Sequence, residues 1–161
     1  MDRGNAGVPR VHFVLKRRLM AGQIGSQTEE EVRLMTTTAM LGDRVALRGV
    51  VGFGRHGVFD FEREKGQRFV VDVVCQHDLA AAAAIDQLQA TVDYGELARA
   101  IVSDIERDPL NLIEALAERI AQTCLSAERV RAVEVTVHKP DAPMPVEVAD
   151  VAVTLTRSRA L

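Results

Sequence analysis

The stretch Ala132–Leu155, AVEVTVHKPDAPMPVEVADVAVTL, decides how the chain folds. In its first half Val133, Val135 and Val137 alternate with Glu134, Thr136 and His138. A period of two puts the valines on one face of a strand and the polar residues on the other. The strand then delivers Lys139 to its end, and Pro140 follows at once. Proline fixes its own φ and restrains the residue before it, so the lysine leaves the strand in a set direction. On local grounds Lys139 reads first as a solvated edge lysine. The prolines Pro140, Pro143 and Pro145 shift that balance, because a stiff mount is what a working side chain requires. Val151, Val153 and Leu155 repeat the alternation and predict a further strand on the same core.

Upstream, DRVALRGVV puts Val45, Leu47 and Val51 on one face of another strand. GFGRHGVFDFEREKGQ follows, too long and charged for a tight hairpin, and is expected to be a loop. In RFVVDVVCQHDLA, Phe69, Val71, Val73 and Cys75 form the inner face of a second strand. The period then changes. Tyr94, Leu97, Ile101 and Ile105 recur at helical spacing, and Asp93 with Glu96 has the form of a capping box. RDPLNLIEALAERIAQTCL predicts a second helix, buried along Ile113, Leu116, Ala117, Ile120 and Cys124, with Asp108-Pro109 or Asn111 as its cap. The order β-β-α-α-β-β predicts an α+β fold: a four-stranded antiparallel sheet with two helices on one face. Such a sheet has two open edges, which pairing between subunits would cover.

Residues 1–41 lack any sustained apolar period and are expected to be a disordered N-terminal extension; 42–161 form the patterned domain. The basic cluster Lys16–Arg18 falls in that extension and reads as solvated. With 161 residues, 47% hydrophobic and 27% charged, the chain has the composition of a soluble globular protein. A net charge of −3 gives no general pull toward nucleic acid or anionic membrane. No apolar run approaches the ~20 residues of a membrane span. Cys75 and Cys124 have no Cys-x-x-Cys spacing and read as buried thiols in a reducing cytoplasm.

Three further residues stand out. Glu114 lies in the first turn of the second predicted helix. It answers Asn111 as a capping glutamate, or it forms, with free helix-start N–H groups, a mixed acceptor and donor edge for a flat heterocycle. Glu62 sits in the glycine-bearing loop, where most glutamates are merely solvated. Tyr94 is the one tyrosine of the chain and falls on the apolar stripe of its helix, which suits a core staple as well as a working hydroxyl.

Together, RGVVGFGRHGVFDFEREKGQRFVVDV, ATVDYGEL, NLIEALAERIA and VHKPDAPMPVEVADVAV resemble dihydroneopterin aldolase, over roughly residues 43–158. The resemblance implies the tunnelling fold, with subunits joined edge to edge in a four-membered ring, as a homo-tetramer or, with two rings stacked, a homo-octamer. It implies active sites between neighbouring subunits, a pterin substrate, and no cofactor, metal or Schiff base. Lys139 would act as acid and base near N5 of the pterin. Tyr94 would move protons at the side-chain hydroxyl from the next subunit, and Glu62 would contact that side chain or order a water. Glu114 would anchor the amino and ring N–H edge. Val92 and Ile113 would lend backbone groups, Asp93 would line the same pocket, and Gln67 would support Lys139. Phe59 departs from the family, whose members often carry tyrosine there.

Three rival readings share most of these features. An epimerase of dihydroneopterin or its triphosphate would share the site, and the triphosphate enzyme would use a basic cluster such as Arg55, Arg63 and Arg68 at the pocket mouth. A zinc-dependent pterin synthase would need three or four ligands, yet His56, His77 and His138 form no His-x-His pair. A silent, ring-forming binding module would have no reason to combine Lys139, Tyr94, Glu62 and Glu114.

Overall fold

The computed structural model describes residues 42–159. The expected extension and its basic cluster Lys16–Arg18 lie outside the described residues. Strands β1 (Arg44–Gly54), β2 (Gln67–Gln76), β3 (Ala132–His138) and β4 (Ala152–Ser158) form one antiparallel sheet in the order β1-β2-β3-β4. A short helix α1 (Asp60–Lys65) joins β1 to β2. Helix α2 (Ala80–Ile85) and a 3₁₀ turn (Leu88–Ala90) lead to α3 (Tyr94–Glu106) and α4 (Ile113–Ser126), which pack on one face of the sheet. The α+β class, the four antiparallel strands and the helix pair are as the sequence predicts.

The core follows from the two periods. Phe69, Val71, Val73 and Cys75 of β2 and Val133, Val135 and Val137 of β3 are buried, and meet Leu97, Ile101 and Ile105 of α3 and Leu116, Ala117, Ile120 and Cys124 of α4. Burying each of the larger aliphatic side chains contributes about 1.5–3 kcal/mol. Cys75 and Cys124 are free, buried and in contact across the sheet–helix interface.

Four expectations need correction. Val51 faces outward, 54% exposed, because a bulge interrupts β1. Leu47 pairs with Val73 but Val50 pairs with Val71, so Arg48 and Gly49 together oppose Asp72. One extra residue reverses the alternation, and Val50, Gly52 and Gly54 take the inner phase. Second, the glycine-bearing loop is partly strand and partly helix: β1 continues to Gly54, and α1 occupies its middle. Third, α4 begins later than expected, with Leu112 as N-cap and no side-chain cap. Asn111 instead accepts a hydrogen bond from Arg63, so Glu114 answers no capping residue. Fourth, Tyr94 is no core staple, since it is 60% exposed at the start of α3. The Asp93 cap does form, accepting from Gly95 N at 2.9 Å and Glu96 N at 3.0 Å.

The sheet register gives the domain two distinct ends. Gly54 pairs with Gln67 and Val70 with His138, so the end of β1, the start of β2 and the end of β3 share one end. At the other end Arg44 pairs with Gln76, and Gln76 with Ala132. The two ends divide the candidate residues between them.

Candidate active site

Lys139 leaves the end of β3 with its backbone N–H bound to the Val151 carbonyl at 2.8 Å. That bond, the Ala142 N–H to Lys139 carbonyl turn and the His138–Asp150 contact at 2.6 Å close the proline-bearing loop at its base. The lysine side chain therefore turns inward: the residue is only 9% exposed. Its Nζ donates to Glu62 Oε1 at 2.5 Å.

Glu62 reaches this point from α1, a helix with no apolar periodicity to announce it. The carboxylate of Glu62 folds back on its own helix start, where Oε2 accepts from the Phe59 N–H at 3.1 Å. Oε1 also accepts from Gln67 Nε2 at 3.0 Å. Gln67 thus touches Glu62 and reaches Lys139 only through it. The neighbouring Gly57 has a φ of +150°, and a Cβ there would lie 2.2 Å from Glu62 Oε2. Only glycine leaves room for the carboxylate at this place.

Burial pushes the Glu62 carboxyl up, but hydrogen bonds from Lys139, the Phe59 N–H and Gln67 outweigh it and hold the group below its ordinary value. The result is a buried ion pair whose carboxylate is satisfied by three donors, as a desolvated charge requires. Gln67 Oε1 is also buried and has no hydrogen-bond partner among the described residues. It can accept from a donor that a ligand or water brings in.

Glu114 is presented at the same end. It stands one residue into α4, exposed, and its carboxylate has no hydrogen-bond partner among the described residues. Ile113 beside it is buried, which fixes the first turn against the core. The α4 start is held against the Glu62 loop: Gly57 N–H donates to the Leu110 carbonyl at 2.9 Å, Leu110 N–H donates to His56 Nδ1 at 3.0 Å, and Arg63 donates to Asn111.

Tyr94, Asp93 and Val92 are not brought to this place. The C-terminal end of α3 lies over the near end, where Ile105 packs on Gly52 and its carbonyl meets His56. Tyr94 stands at the opposite end of the same helix, about 17 Å away along its axis. There Val92 and Asp93 line an open pocket of about 950 Å³ with Ser126, Ala127 and Arg129, beyond the far end of α4. So Lys139, Glu62, Gln67, Ile113 and Glu114 gather at one end of the domain, and Val92, Asp93 and Tyr94 at the other.

The same geometry bears on two of the rival readings. Arg55 donates to the carbonyls of Arg63 and Glu64, and Arg63 to Asn111, so both serve to staple the loop. His56 has both ring nitrogens bound to backbone groups. Among the described residues no group of three or more His, Cys, Asp or Glu is placed to hold a metal ion. His56 is the residue of this site that sequence reasoning undervalued, weighing it only as a metal ligand. Its place between glycines, in an otherwise exposed and charged stretch, is the available signal.

Comparisons with known proteins agree with the resemblance. A family profile described as dihydroneopterin aldolase matches residues 45–156. A dihydroneopterin aldolase of Streptomyces coelicolor is 57% identical over 117 residues, 73% of this chain and 98% of the relative. One from Bacillus subtilis is 41% identical over 118 residues, again 73% of this chain and 98% of the relative. The structure of the Escherichia coli dihydroneopterin aldolase in complex with neopterin superposes with a TM-score of 0.67 at 28% identity, over 72% of this chain and 99% of that one. With a profile spanning nearly the whole described domain and relatives matched over almost their full length, the chain belongs to the dihydroneopterin aldolase family, enzymes of folate biosynthesis.

Proposed function

We propose that the chain cleaves 7,8-dihydroneopterin by a retro-aldol reaction at a site assembled between neighbouring copies, with Lys139 as the acid–base group. One observation carries this reading: the buried Lys139–Glu62 pair lies at the same end as the unpartnered Glu114 carboxylate. The E. coli relative's complex with neopterin supports a pterin as ligand.

The substrate supplies its own electron sink. The hydroxyl on C2′ loses its proton, the C1′–C2′ bond breaks, and glycolaldehyde leaves. The bond's electrons run through C6 to N5, which takes up a proton. A proton then returns to C1′ while N5 gives its own back, restoring the N5=C6 imine and giving 6-hydroxymethyl-7,8-dihydropterin. No Schiff base is needed, because the N5=C6 imine already does what such an adduct would do. Lys139 supplies and recovers the proton near N5, and Glu62 orders the lysine or an intervening water. Glu114 accepts from the amino and ring N–H edge of the pterin, with a backbone group from Ile113 beside it and, as for Tyr94, one from Val92 of the neighbouring copy.

Tyr94 serves the C2′ hydroxyl, and it does so from a second copy. Its exposure and its place at the far end of α3 support this, since no motion within one compact domain carries it to Lys139. Edge strands β1 and β4 offer the pairing surfaces, and a head-to-tail ring of four, single or stacked, satisfies them. The free, buried thiols suit a cytoplasmic setting, and no helix among the described residues is long and apolar enough to cross a membrane.

The decisive experiment is product analysis. Purified protein is incubated with 7,8-dihydroneopterin and the pterins are separated by chromatography. The expected products are 6-hydroxymethyl-7,8-dihydropterin and glycolaldehyde. If the 2′-epimer is the sole new pterin, an epimerase replaces this reading.

A further inference from the structure

The residues gathered near Lys139 come from three separate stretches of chain, and one residue, His56, is bonded to two of them, through its ring to Leu110 before Glu114 and through its carbonyl to Gln67. His56 is fully buried, at 0% exposure, and has no part in the proton transfers or in anchoring the ring. The Leu110 N–H donates to its Nδ1 at 3.0 Å, so Nδ1 is the unprotonated nitrogen. Nε2 carries the proton and donates to the Ile105 carbonyl at 2.7 Å. The Phe69 ring meets the imidazole edge to face, with centroids 5.3 Å apart, and fixes its plane.

The next residue completes the grip. Gly57 N–H donates to the Leu110 carbonyl at 2.9 Å, so consecutive residues hold both backbone groups of Leu110. Leu110 lies just before Leu112, the N-cap of the helix that presents Ile113 and Glu114. On the other side, the His56 carbonyl accepts from Gln67 Nε2 at 3.4 Å, and the same amide binds Glu62. There is no slack around the ring: a Cβ at Gly54 would lie 2.7 Å from His56 Cδ2.

We propose that His56 is a positioning residue of the aldolase site: through Leu110 it fixes the spacing between the ring anchor Glu114 and the Lys139–Glu62 pair. The proposal rests on the roles given above to Glu114 and Lys139. A pterin is rigid, so its amino edge and N5 lie at one fixed separation. The two protein groups that meet those atoms come from the start of α4 and the end of β3, and no direct bond joins them. Without the clasp the α4 start drifts relative to the lysine, and only a fraction of molecules has the matching spacing. Ground state and transition state lose binding together, which raises KM and leaves kcat little changed.

Two near-isosteres separate the two bonds of the imidazole. The amide oxygen of His56→Asn reaches the Nδ1 position and accepts from Leu110. The amide nitrogen of His56→Gln reaches the Nε2 position and donates to Ile105 but leaves Leu110 unheld. We expect H56Q to raise KM for 7,8-dihydroneopterin about tenfold with kcat within about threefold, and H56N to recover most of the lost affinity. The proposal is overturned if KM of H56Q stays within about twofold of wild type, or if kcat falls while KM does not move. Failure of both variants to fold overturns it too, since His56 would then hold the domain rather than the site. K139A, measured alongside, keeps the two ideas apart. If K139A retains cleavage, the site assignment itself falls, whatever the histidine variants do.

Discussion

Glu62 is held by two opposing effects whose balance depends on pH. Burial raises its carboxyl, while donors from Lys139, the Phe59 N–H and Gln67 lower it further, so the net shift is downward. A carboxyl whose folded value is depressed stabilises the native state above its unfolded value, and that contribution is lost as pH falls through the folded value. Glu62→Gln removes the charge and leaves the Lys139 ammonium buried beside a neutral amide. We predict that E62Q is less stable than wild type by about 3 kcal/mol at neutral pH. The gap should narrow as pH drops below the ordinary glutamate range, because wild-type Glu62 is then protonated as well. Denaturant titrations of both proteins across a pH series measure this. A gap that stays constant with pH would mean that the pair contributes through packing and not through charge.

At the scale of the element, β1 shows how one residue sets a whole face. Gly49 adopts a φ of +69°, and a Cβ there would meet nothing within 4 Å. The bulge is pinned by Asp72, whose Oδ1 accepts from the Gly49 N–H at 2.7 Å. Gly49→Ala therefore adds backbone strain without a clash, and we predict a loss of about 1–2 kcal/mol on chemical denaturation with the slope unchanged. A loss of only a few tenths would show that the strand can slide to another register. The same bulge explains why Val51 misleads a reader of the sequence. Alternation is legible only while the count is unbroken, as in β2 and β3, where every predicted inward residue is buried. Helix α1 escapes detection for a different reason: six residues following a phenylalanine N-cap carry neither an apolar stripe nor a polar N-cap side chain. The Asn111 cap fails because Arg63, distant in sequence, takes its oxygen. The lysine and its proline are legible because the signal is local; the carboxylate that meets it is not, because 77 residues separate the two.

For the whole molecule, the division of the candidate residues between two ends has a consequence that no single chain can meet. Lys139, Glu62 and Glu114 are complete at one end, and Tyr94 stands exposed at the other. In a head-to-tail ring each interface takes its lysine from one copy and its tyrosine from the next. Lys139→Ala and Tyr94→Ala should each lose at least about a hundredfold in cleavage, since each removes a group proposed to transfer a proton, while both still assemble. Mixing is the sharper test. When the two inactive variants are unfolded together in equal amounts and refolded into mixed rings, some interfaces join the intact lysine end of a Y94A chain to the intact tyrosine end of a K139A chain. Random assembly makes about a quarter of the sites wild type. Activity should therefore rise from near zero to about a quarter of the wild-type value, with each variant refolded alone remaining silent. If mass spectrometry shows mixed rings and no activity returns, lysine and tyrosine must act from one chain, which would require α3 to leave the sheet. The packing of Leu97, Ile101 and Ile105 in the core argues that it does not. Recovery would establish that the sheet's two ends, which share no contact in one domain, form one catalytic surface in the ring.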